Sequence, residues 1–401
     1  MLWNSSGSIV ALACNWFTTI IVVRLSSSYE AAGLLALAMT IGNIFTPFAT
    51  YKMRTYQISD VNGEFSAGQY MAFRGLTTFA AFAGCLIYAL FTCQANAYLP
   101  VALYLLYKTI DQITDVMHGV DQNNGRMDYI GISLASRGVL GLASFSVCLA
   151  LSGCLEVAIV AMIASNVPIT VLYDYRKARQ FADLKPYLKK SQAKLLLKRC
   201  FTAVLSAVFC SAVLTVPRQY LSFTLGDEAL GIYASIAAPV TLVQMGATYI
   251  YMPLLGDFSE RYKKSAPAFF SLLGKTTLGI CAIAVISLLG FGLLGEWILA
   301  LLFGDSIRPY VYLLQPAIIC TIVTAYLWFL SDLLVATRNF KENFVGNLVS
   351  IIVSLLVTIP CVDIWGMNGV SFTGIAGYGA GVLVLGLSLI WKMTMKEKKA
   401  V

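Results

Sequence analysis

Four ionisable residues interrupt an otherwise apolar part of the sequence: Lys108, Asp111, Asp115 and His118, at spacings of three, four and three positions. In an α-helix this spacing places all four side chains on one face. One interpretation is that the face forms a wall of a hydrophilic cavity. The other is that it lies at a helix end, where Lys108 pairs with Asp111 and the polar groups reach toward water. The residues alone leave both interpretations open.

Arginines form a second set with useful chemistry. The guanidinium group stays charged and binds phosphate through two parallel hydrogen bonds from its planar fork. A single arginine near the end of a helix more often anchors that end than binds a ligand. A series of arginines along a path of apolar helices, however, indicates an anionic substrate. The series consists of Arg24, Arg54, Arg74, Arg137 and Arg218.

Motifs of common enzymes and metal proteins are missing from the sequence. None of the ten cysteines forms a CxxC pair, and with a single histidine they predict no metal site. No phosphate-binding glycine loop, HExxH motif or nucleophile elbow occurs, so no catalytic residue is predicted. Asp332 has no opposite charge within one helical turn. It is either a coupling site for a proton or sodium ion, or an ordinary polar residue in a water-filled space.

The composition defines the elements that must position these residues. Of the 401 residues, 58% are hydrophobic and only 12% are charged, whereas soluble proteins average about 25% charged residues. The mean hydropathy is +0.76. A chain of this size cannot cover a water-facing surface with so few charges. The composition therefore predicts an integral membrane protein and excludes a soluble enzyme, a disordered tail and a coiled coil.

The apolar stretches predict an all-α protein with twelve transmembrane helices. A helix needs about 20 mostly apolar residues to cross the hydrocarbon core of a bilayer. The first stretch has no basic flank and no cleavage site, so we interpret it as a retained helix in a chain that is short at its N-terminus. The predicted helices, numbered 1 to 12 below, cover about 7–25, 30–51, 71–92, 97–118, 129–152, 154–173, 200–223, 228–255, 267–290, 309–336, 342–362 and 368–391.

The basic residues predict the topology. The net charge is +8, and of the 28 Lys and Arg residues all but Arg24, Arg218 and Arg308 fall in or beside loops on one side of the predicted membrane. The positive-inside rule then places both termini in the cytosol. The basic stretch 176–199 is interpreted as a cytosolic connector that can touch anionic lipid headgroups, and not as a nucleic-acid site.

An internal repeat divides the helices into two groups of six. The segment that begins at Glu30 matches the segment that begins at Glu228, with Glu, Ala, Gly and Ala shared at an offset of 198 residues. Because six crossings are an even number, the two lobes have the same orientation and are related by an axis along the membrane normal. The predicted parts are an N-terminal lobe at 1–175, the connector at 176–199 and a C-terminal lobe at 200–401.

Several segments carry a family likeness. They are Val23-Arg-Leu-Ser-Ser-Ser-Tyr-Glu-Ala-Ala-Gly-Leu34, Arg54-Thr-Tyr-Gln-Ile-Ser-Asp60, Gly125-Arg-Met-Asp-Tyr-Ile-Gly-Ile-Ser133 with Arg137-Gly138, and Leu225-Gly-Asp-Glu-Ala-Leu-Gly-Ile-Tyr233. The sequence resembles the Wzx-type polysaccharide flippases of the multidrug/oligosaccharidyl-lipid/polysaccharide exporter superfamily. The resemblance implies the V-shaped fold of MATE transporters and MurJ.

The resemblance also implies a function, that of a carrier in the plasma membrane of a bacterium. Such a flippase moves a polyprenyl-diphosphate-linked oligosaccharide, the repeat unit of O-antigen, capsule or exopolysaccharide, from the cytosolic to the outer leaflet by alternating access. It works beside the glycosyltransferases and the glycan polymerase of the same pathway. No cofactor is implied, and coupling to a proton gradient, a sodium gradient or the membrane potential stays open.

The site residues are carried over from the related lipid II flippases. By position, Arg24 and Arg54 match cavity arginines on helices 1 and 2 that contact the diphosphate, and Arg218 matches a third, on helix 7 instead of helix 8. Thr18 stands near the place of a further arginine of the family. The hypothesis is that a wet, cationic cavity between the lobes holds the diphosphate through Arg24, Arg54 and Arg218, with Arg74, Arg137 and Lys108 as further candidates. Asp111, Asp115 and Asp332 are the candidates for polar cavity residues or ion coupling.

Two other functions remain as alternatives. A cation-coupled drug antiporter of the same superfamily would share the fold but should carry a buried carboxylate on helix 1 or 7, where this sequence has Arg24 and Arg218. A membrane-embedded glycan polymerase or ligase would need a large outer loop with catalytic groups. The longest predicted outer loop, 291–308, is short and partly apolar.

Overall fold

The computed structural model describes residues 2–26, 29–59 and 64–400, and within these ranges the chain forms helices and no strands. Three residues of the family-like segments, Ser27, Ser28 and Asp60, lie outside the described residues. Contacts divide the chain into two units, Met1–Val204 and Leu205–Val401. Each unit is described by itself.

Six long helices form the first unit, joined by short connections. The helix from Ala67 begins with a capping box, in which Ser66 accepts a hydrogen bond from the Gln69 backbone and the Gln69 side chain accepts one from the Ser66 backbone. Gly153, at φ 64°, ends the fifth helix in the left-handed conformation that glycine favours. Helices 1 to 6 are Leu2–Leu25, Glu30–Thr50, Ala67–Thr92, Tyr98–Asn123, Met127–Ser152 and Leu155–Pro168, with the short helix Met53–Ser59 after the second.

Helix 6 does not end at Pro168 but continues through a π-helical turn, Ile169–Asp174, into Tyr175–Ala178. A wide turn of this kind inside an α-helix often marks a functional position. Residues 179–189 then cross to Lys190, where the next helix begins. In this crossing, Leu184 is buried against Met117 and Val120 of helix 4.

The second unit contains the remaining long helices, the first of which begins before the unit boundary at Leu205. Helices 7 and 8 run together in Lys190–Tyr251 and are separated by Gly226, whose φ of 87° breaks the helix. Phe258, Phe269 and Phe329 lie in the centre of the apolar core of this unit. Helices 9 to 12 are Ala266–Phe303, Leu314–Ala336, Phe340–Trp365 and Asn368–Ala400, and the short helix Leu255–Lys264 precedes them.

Ten helical stretches of the described chain are long and apolar enough to cross a membrane. One of them, at 190–262, contains the break at Gly226 and so holds two helices. Helix 4 is outside the ten, since it carries four charged residues. The ten stretches therefore contain eleven of the twelve predicted helices, and helix 4 does not qualify as a membrane span by length and composition. Large apolar side chains such as Phe91, Leu151 and Leu293 are exposed, as they are in a multi-pass membrane protein whose solvent is lipid.

The predicted outer loop at 291–308 is largely helical. Helix 9 runs without interruption from Ala266 to Phe303. The sequence after Phe291 contains glycines but no proline until Pro309, and a β-carbon at Gly295 would collide with the side chain of Leu314. This glycine therefore lets two helices approach each other and does not mark a turn.

Candidate anion-binding cavity

A cavity of about 300 Å³ lies within the first unit. Its walls come from helices 1, 2, 4 and 5 and from the short helix after helix 2. Asn15, Thr46 and Thr50 supply neutral polar groups to it. The ionisable residues that line it are Arg54, Asp111, Asp115, His118 and Arg137.

The polar face of helix 4 forms one wall of this cavity. Asp111, Asp115 and His118 all line it, as their spacing requires. Lys108, one turn earlier, lies 3.2 Å from Asp111 through Nζ. Its ammonium also lies above the rings of Tyr104 and Tyr107, at 5.6 Å and 5.4 Å from their centres. The helix face therefore lines a cavity, as the first interpretation of the sequence predicts. It also contains the Lys108–Asp111 pair of the second interpretation.

Arg54 reaches the cavity because of an unusual backbone. Helix 2 ends at two successive residues with positive φ, Tyr51 at 46° and Lys52 at 56°. Such angles are strained for residues with a side chain and persist only where the surroundings hold them. Tyr51 is held by its ring, which packs edge-on against Phe73, and by its hydroxyl, which donates to the carbonyl of Leu197. The helix that follows the turn presents Arg54 to the cavity.

Asp115 binds two arginines at once. Its Oδ1 lies 3.1 Å from Nη1 of Arg54, and its Oδ2 lies 2.7 Å from Nη2 of Arg74. Arg74 is fully buried and also donates to the carbonyl of Ala49. Arg54 is partly exposed and donates its other nitrogen to Gln122 at 3.0 Å. The carboxylate thus fixes Arg54 between a buried arginine and the open cavity.

Asp111 repeats this arrangement one turn away. Its Oδ1 lies 2.5 Å from Nη2 of Arg137, while Oδ2 faces Lys108. Arg137 is buried, and its Nε donates to Oδ1 of Asn166 on helix 6 at 3.1 Å. Four cationic side chains therefore share two carboxylates, and the cluster has an excess of two positive charges when all six groups are ionised. Such an excess in a region of low dielectric attracts anions.

Not every predicted site residue lines this cavity. Arg74 and Lys108 are not among the lining residues, but each is bound to one of the lining carboxylates. Arg24 lies exposed in the last turn of helix 1 and is not part of the lining. Arg218 and Asp332 belong to the second unit. There the guanidinium of Arg218 lies 6.0 Å from the ring centre of Tyr233, and Asp332 accepts a 2.9 Å hydrogen bond from Tyr251.

Sequence reasoning missed the neutral polar residues that complete the cluster. Gln122 and Asn166 bind the two arginines, and Tyr107 contributes a ring to the cavity wall. The available signal was an amide inside an apolar helix, since Asn166 is the only amide in the predicted helix at 154–173. A buried amide of this kind usually has a hydrogen-bonding partner on another helix.

Comparisons with known proteins agree with the sequence resemblance. No family model matches the chain. The capsular polysaccharide biosynthesis protein CapF of Staphylococcus aureus is 24% identical over 349 residues, which cover 84% of this chain and 85% of that protein. An inward-facing multidrug resistance transporter of the MATE family and the MOP superfamily superposes with a TM-score of 0.77 at 12% identity, covering 98% of this chain and 97% of that chain. The lipid II flippase MurJ, in an inward closed conformation, superposes with a TM-score of 0.77 at 13% identity, covering 97% of this chain and 87% of that chain.

The fold and the comparisons define a class of protein: a multi-pass, all-helical membrane protein with the fold of MATE transporters and of MurJ. The predicted fold class is confirmed. Within that class, the resemblance to the polysaccharide flippases is confirmed by the likeness to a capsular polysaccharide biosynthesis protein.

Proposed function

We propose that this protein is a flippase for a polyprenyl-diphosphate-linked oligosaccharide, and that it moves the repeat unit of O-antigen, capsule or exopolysaccharide from the cytosolic to the outer leaflet by alternating access. The observation that carries the proposal is the cavity of the first unit, in which Arg54 and Arg137 are held by Asp115 and Asp111. The sequence likeness to a capsular polysaccharide biosynthesis protein supports the substrate class.

The chemistry of the substrate explains why such a cavity is needed. Sugars and two phosphate groups cannot enter hydrocarbon without a large loss of hydration. The lipid tail, in contrast, can stay in the bilayer during transfer. A cavity of about 300 Å³ is at the lower end of the range for small-molecule sites, which is about 300–1,000 Å³. It suits a diphosphate with an adjoining sugar and is too small for a whole oligosaccharide.

The two carboxylates give the site a mechanism for exchange. Without substrate, Asp115 and Asp111 occupy the anion-binding faces of Arg54 and Arg137 and keep both guanidinium groups oriented. An arriving diphosphate is a stronger acceptor of charged hydrogen bonds and takes over part of these contacts. The carboxylates then recover the arginines when the substrate leaves. The excess of positive charge over the two carboxylates is what the diphosphate neutralises.

The other predicted residues have different roles in this proposal. Arg74 and Lys108 act through the carboxylates to which they are bound. Arg24 and Arg218 contact the diphosphate in other states of the transport cycle. Asp332 remains a candidate for coupling to a proton or sodium gradient. The protein works in the plasma membrane of a bacterium with both termini in the cytosol, beside the glycosyltransferases and polymerase of its pathway.

The direct test is complementation of a strain that lacks its flippase for surface glycan. We expect Arg54→Ala and Arg137→Ala each to reduce surface glycan about 10-fold or more, because a charged hydrogen bond contributes about 1.5–3 kcal/mol. Arg308→Ala is the matched control, since Arg308 pairs with two exposed acidic residues, Asp305 and Glu296. All variants are compared at equal protein level in the membrane.

Two outcomes would contradict the proposal. One is full surface glycan in the double variant of Arg54 and Arg137. The other is export of cationic drugs by the native protein without any rescue of surface glycan, which would favour the drug-antiporter alternative. Glycosyl transfer by the purified protein would instead favour the polymerase or ligase.

A further inference from the structure

Three buried titratable residues lie next to the cavity but have no part in the arginine cluster. His118 and Asp121 are on helix 4, and Asp174 ends the π-helical turn after helix 6. Their exposed fractions are 3%, 1% and 1%. Nε2 of His118 lies 3.5 Å from Oδ1 of Asp174, and Asp121 is within electrostatic range of Asp174.

These residues lack the hydrogen bonds that such burial normally requires. Among the described residues, both carboxylate oxygens of Asp121, Oδ2 of Asp174 and Nε2 of His118 have no hydrogen-bonding partner. Two buried carboxylates close to each other repel when both are ionised, and each loses its hydration. The arrangement is therefore short of one or more positive charges or hydrogen-bond donors.

The surrounding charges do not supply what is missing. Arg126, Asp128 and Lys177 act on Asp121 in addition to Asp174. The Arg126 guanidinium, however, is bound by both oxygens of Asp128, through Nε at 2.9 Å and Nη2 at 2.5 Å. Lys177 lies 4.6 Å from the ring centre of Tyr129. On the cavity side, His118 faces charged groups that are paired with one another, namely Arg54 with Asp115 and Arg137 with Asp111.

A proton fits this site better than a metal ion. In the part of the chain that the structure describes, no three His, Cys, Asp or Glu side chains converge as metal ligands do. A proton needs only one donor–acceptor contact and can satisfy a carboxylate that has no other partner. His118 lines the cavity and its Nε2 is directed at Asp174, so it lies between the cavity and the buried carboxylates.

We propose that His118, Asp121 and Asp174 form a buried protonation site, which receives its proton from the cavity through His118 and holds it on the carboxylate pair at neutral pH. Uptake converts one carboxylate and a proton from water into a neutral carboxyl group, and release reverses this step. The site joins helix 4 to the π-helical turn, where Thr114 and Thr170 also share a hydrogen bond. A change in the charge of this site therefore acts on helix 4, which also carries Asp111 and Asp115.

Infrared difference spectroscopy of the purified protein in lipid tests the proposal without any substrate. The native protein should show the stretching band of a protonated carboxyl group at neutral pH, and the band should disappear at alkaline pH. Asp121→Asn should remove the band or reduce it strongly, and Asp174→Asn should shift it. Asp183→Asn is the matched control, since Asp183 is exposed in the same unit, and it should leave the band unchanged.

His118 offers a second measurement, because it is the only histidine of the sequence. Protein labelled with ¹⁵N-histidine and purified without a histidine tag gives one pair of ring signals. Asp174→Asn should change these signals, whereas Asp183→Asn should not. This measurement does not use Asp121→Asn, so it tests the proposal even if that variant fails to fold.

The proposal is overturned if the native protein shows no protonated-carboxyl band at neutral pH, or if neither Asp121→Asn nor Asp174→Asn changes the band. It is also overturned if sodium abolishes the band at constant pH while choline does not, since the site would then hold a sodium ion. None of these outcomes depends on the transported substrate, so they are independent of the flippase proposal.

Discussion

Arg74 donates a 2.7 Å hydrogen bond from Nη2 to Oδ2 of Asp115 from a position with no exposed surface. The second oxygen of the same carboxylate remains available to Arg54, which faces the cavity. The buried arginine therefore orients the carboxylate, and the carboxylate orients the arginine that can meet a ligand. Arg54 is therefore placed to bind a ligand, whereas Arg74 and Asp115 position Arg54.

A double-mutant cycle of Arg74 and Asp115 should show strong coupling. Arg74→Ala leaves the carboxylate of Asp115 with only one of its two arginines, Arg54. It should lower the free energy of unfolding by about 3–5 kcal/mol, the usual cost of breaking a buried pair. In the Asp115→Asn background, the same substitution should cost much less. Thermal unfolding in detergent, followed by tryptophan fluorescence, measures both. Equal costs in the two backgrounds would show that Arg74 stabilises the fold independently of Asp115.

Arg137→Lys should impair transport although it keeps the charge. A lysine can still pair with Asp111 but cannot also donate to Asn166, because it lacks the planar fork. We expect surface glycan to fall about 10-fold, equivalent to one charged hydrogen bond of about 1.5 kcal/mol. Arg308→Lys, at an exposed pair, serves as the control. Native activity in Arg137→Lys would mean that charge alone is sufficient there.

Gly131→Ala should disturb the cavity through the packing of two helices. A β-carbon at Gly131 would collide with the backbone of Trp3, and one at Gly7 would collide with the backbone of Gly131. Helices 1 and 5, which meet at these glycines, also supply Asn15 and Arg137 to the cavity. We expect a loss of about 1–3 kcal/mol of stability, typical of overpacking.

The control for this substitution is Gly84→Ala, since a β-carbon at Gly84 has nothing within 4 Å. It should leave stability unchanged or raise it slightly, because alanine favours a helix by about 1 kcal/mol over glycine. Thermal unfolding and surface glycan are measured for both variants. Equal behaviour of the two would show that the helices can separate at Gly131 without cost.

Gly68→Val should detach the segment between helix 6 and Lys190. A β-carbon at Gly68 would collide with the backbone carbonyl of Lys185, and the Gly68 carbonyl accepts a hydrogen bond from Tyr187. Limited proteolysis should therefore cut residues 179–189 several times faster in this variant. Gly75→Val, on the same helix with nothing within 4 Å, is the control and should be cut at the native rate. Unchanged cleavage of Gly68→Val would show that other contacts, such as buried Leu184, hold the segment.

The sequence by itself was sufficient for the features that depend on local chemistry. The shortage of charge predicted membrane helices, because each crossing must be apolar over its whole length. The spacing of Asp111, Asp115 and His118 predicted a shared face, because helical periodicity is fixed by the backbone. The position of a helix end has no local signal where no residue breaks the helix. Helix 9 therefore extends to Phe303, through most of a stretch predicted to be a loop.

Only the tertiary structure decided which charges meet. The arginine partners of Asp115 and Asp111 are distant in the sequence, with Arg54 61 residues away, Arg74 41 and Arg137 26. Their contacts depend on how closely the helices pack, for instance where Gly7 meets Gly131. The sequence presented five arginines as candidates to bind a phosphate and ranked Arg74 and Arg137 below the others. Packing buries Arg74, leaves Arg54 and Arg137 at the cavity and gives each a carboxylate, since a charge removed from water must find its partner on a neighbouring helix.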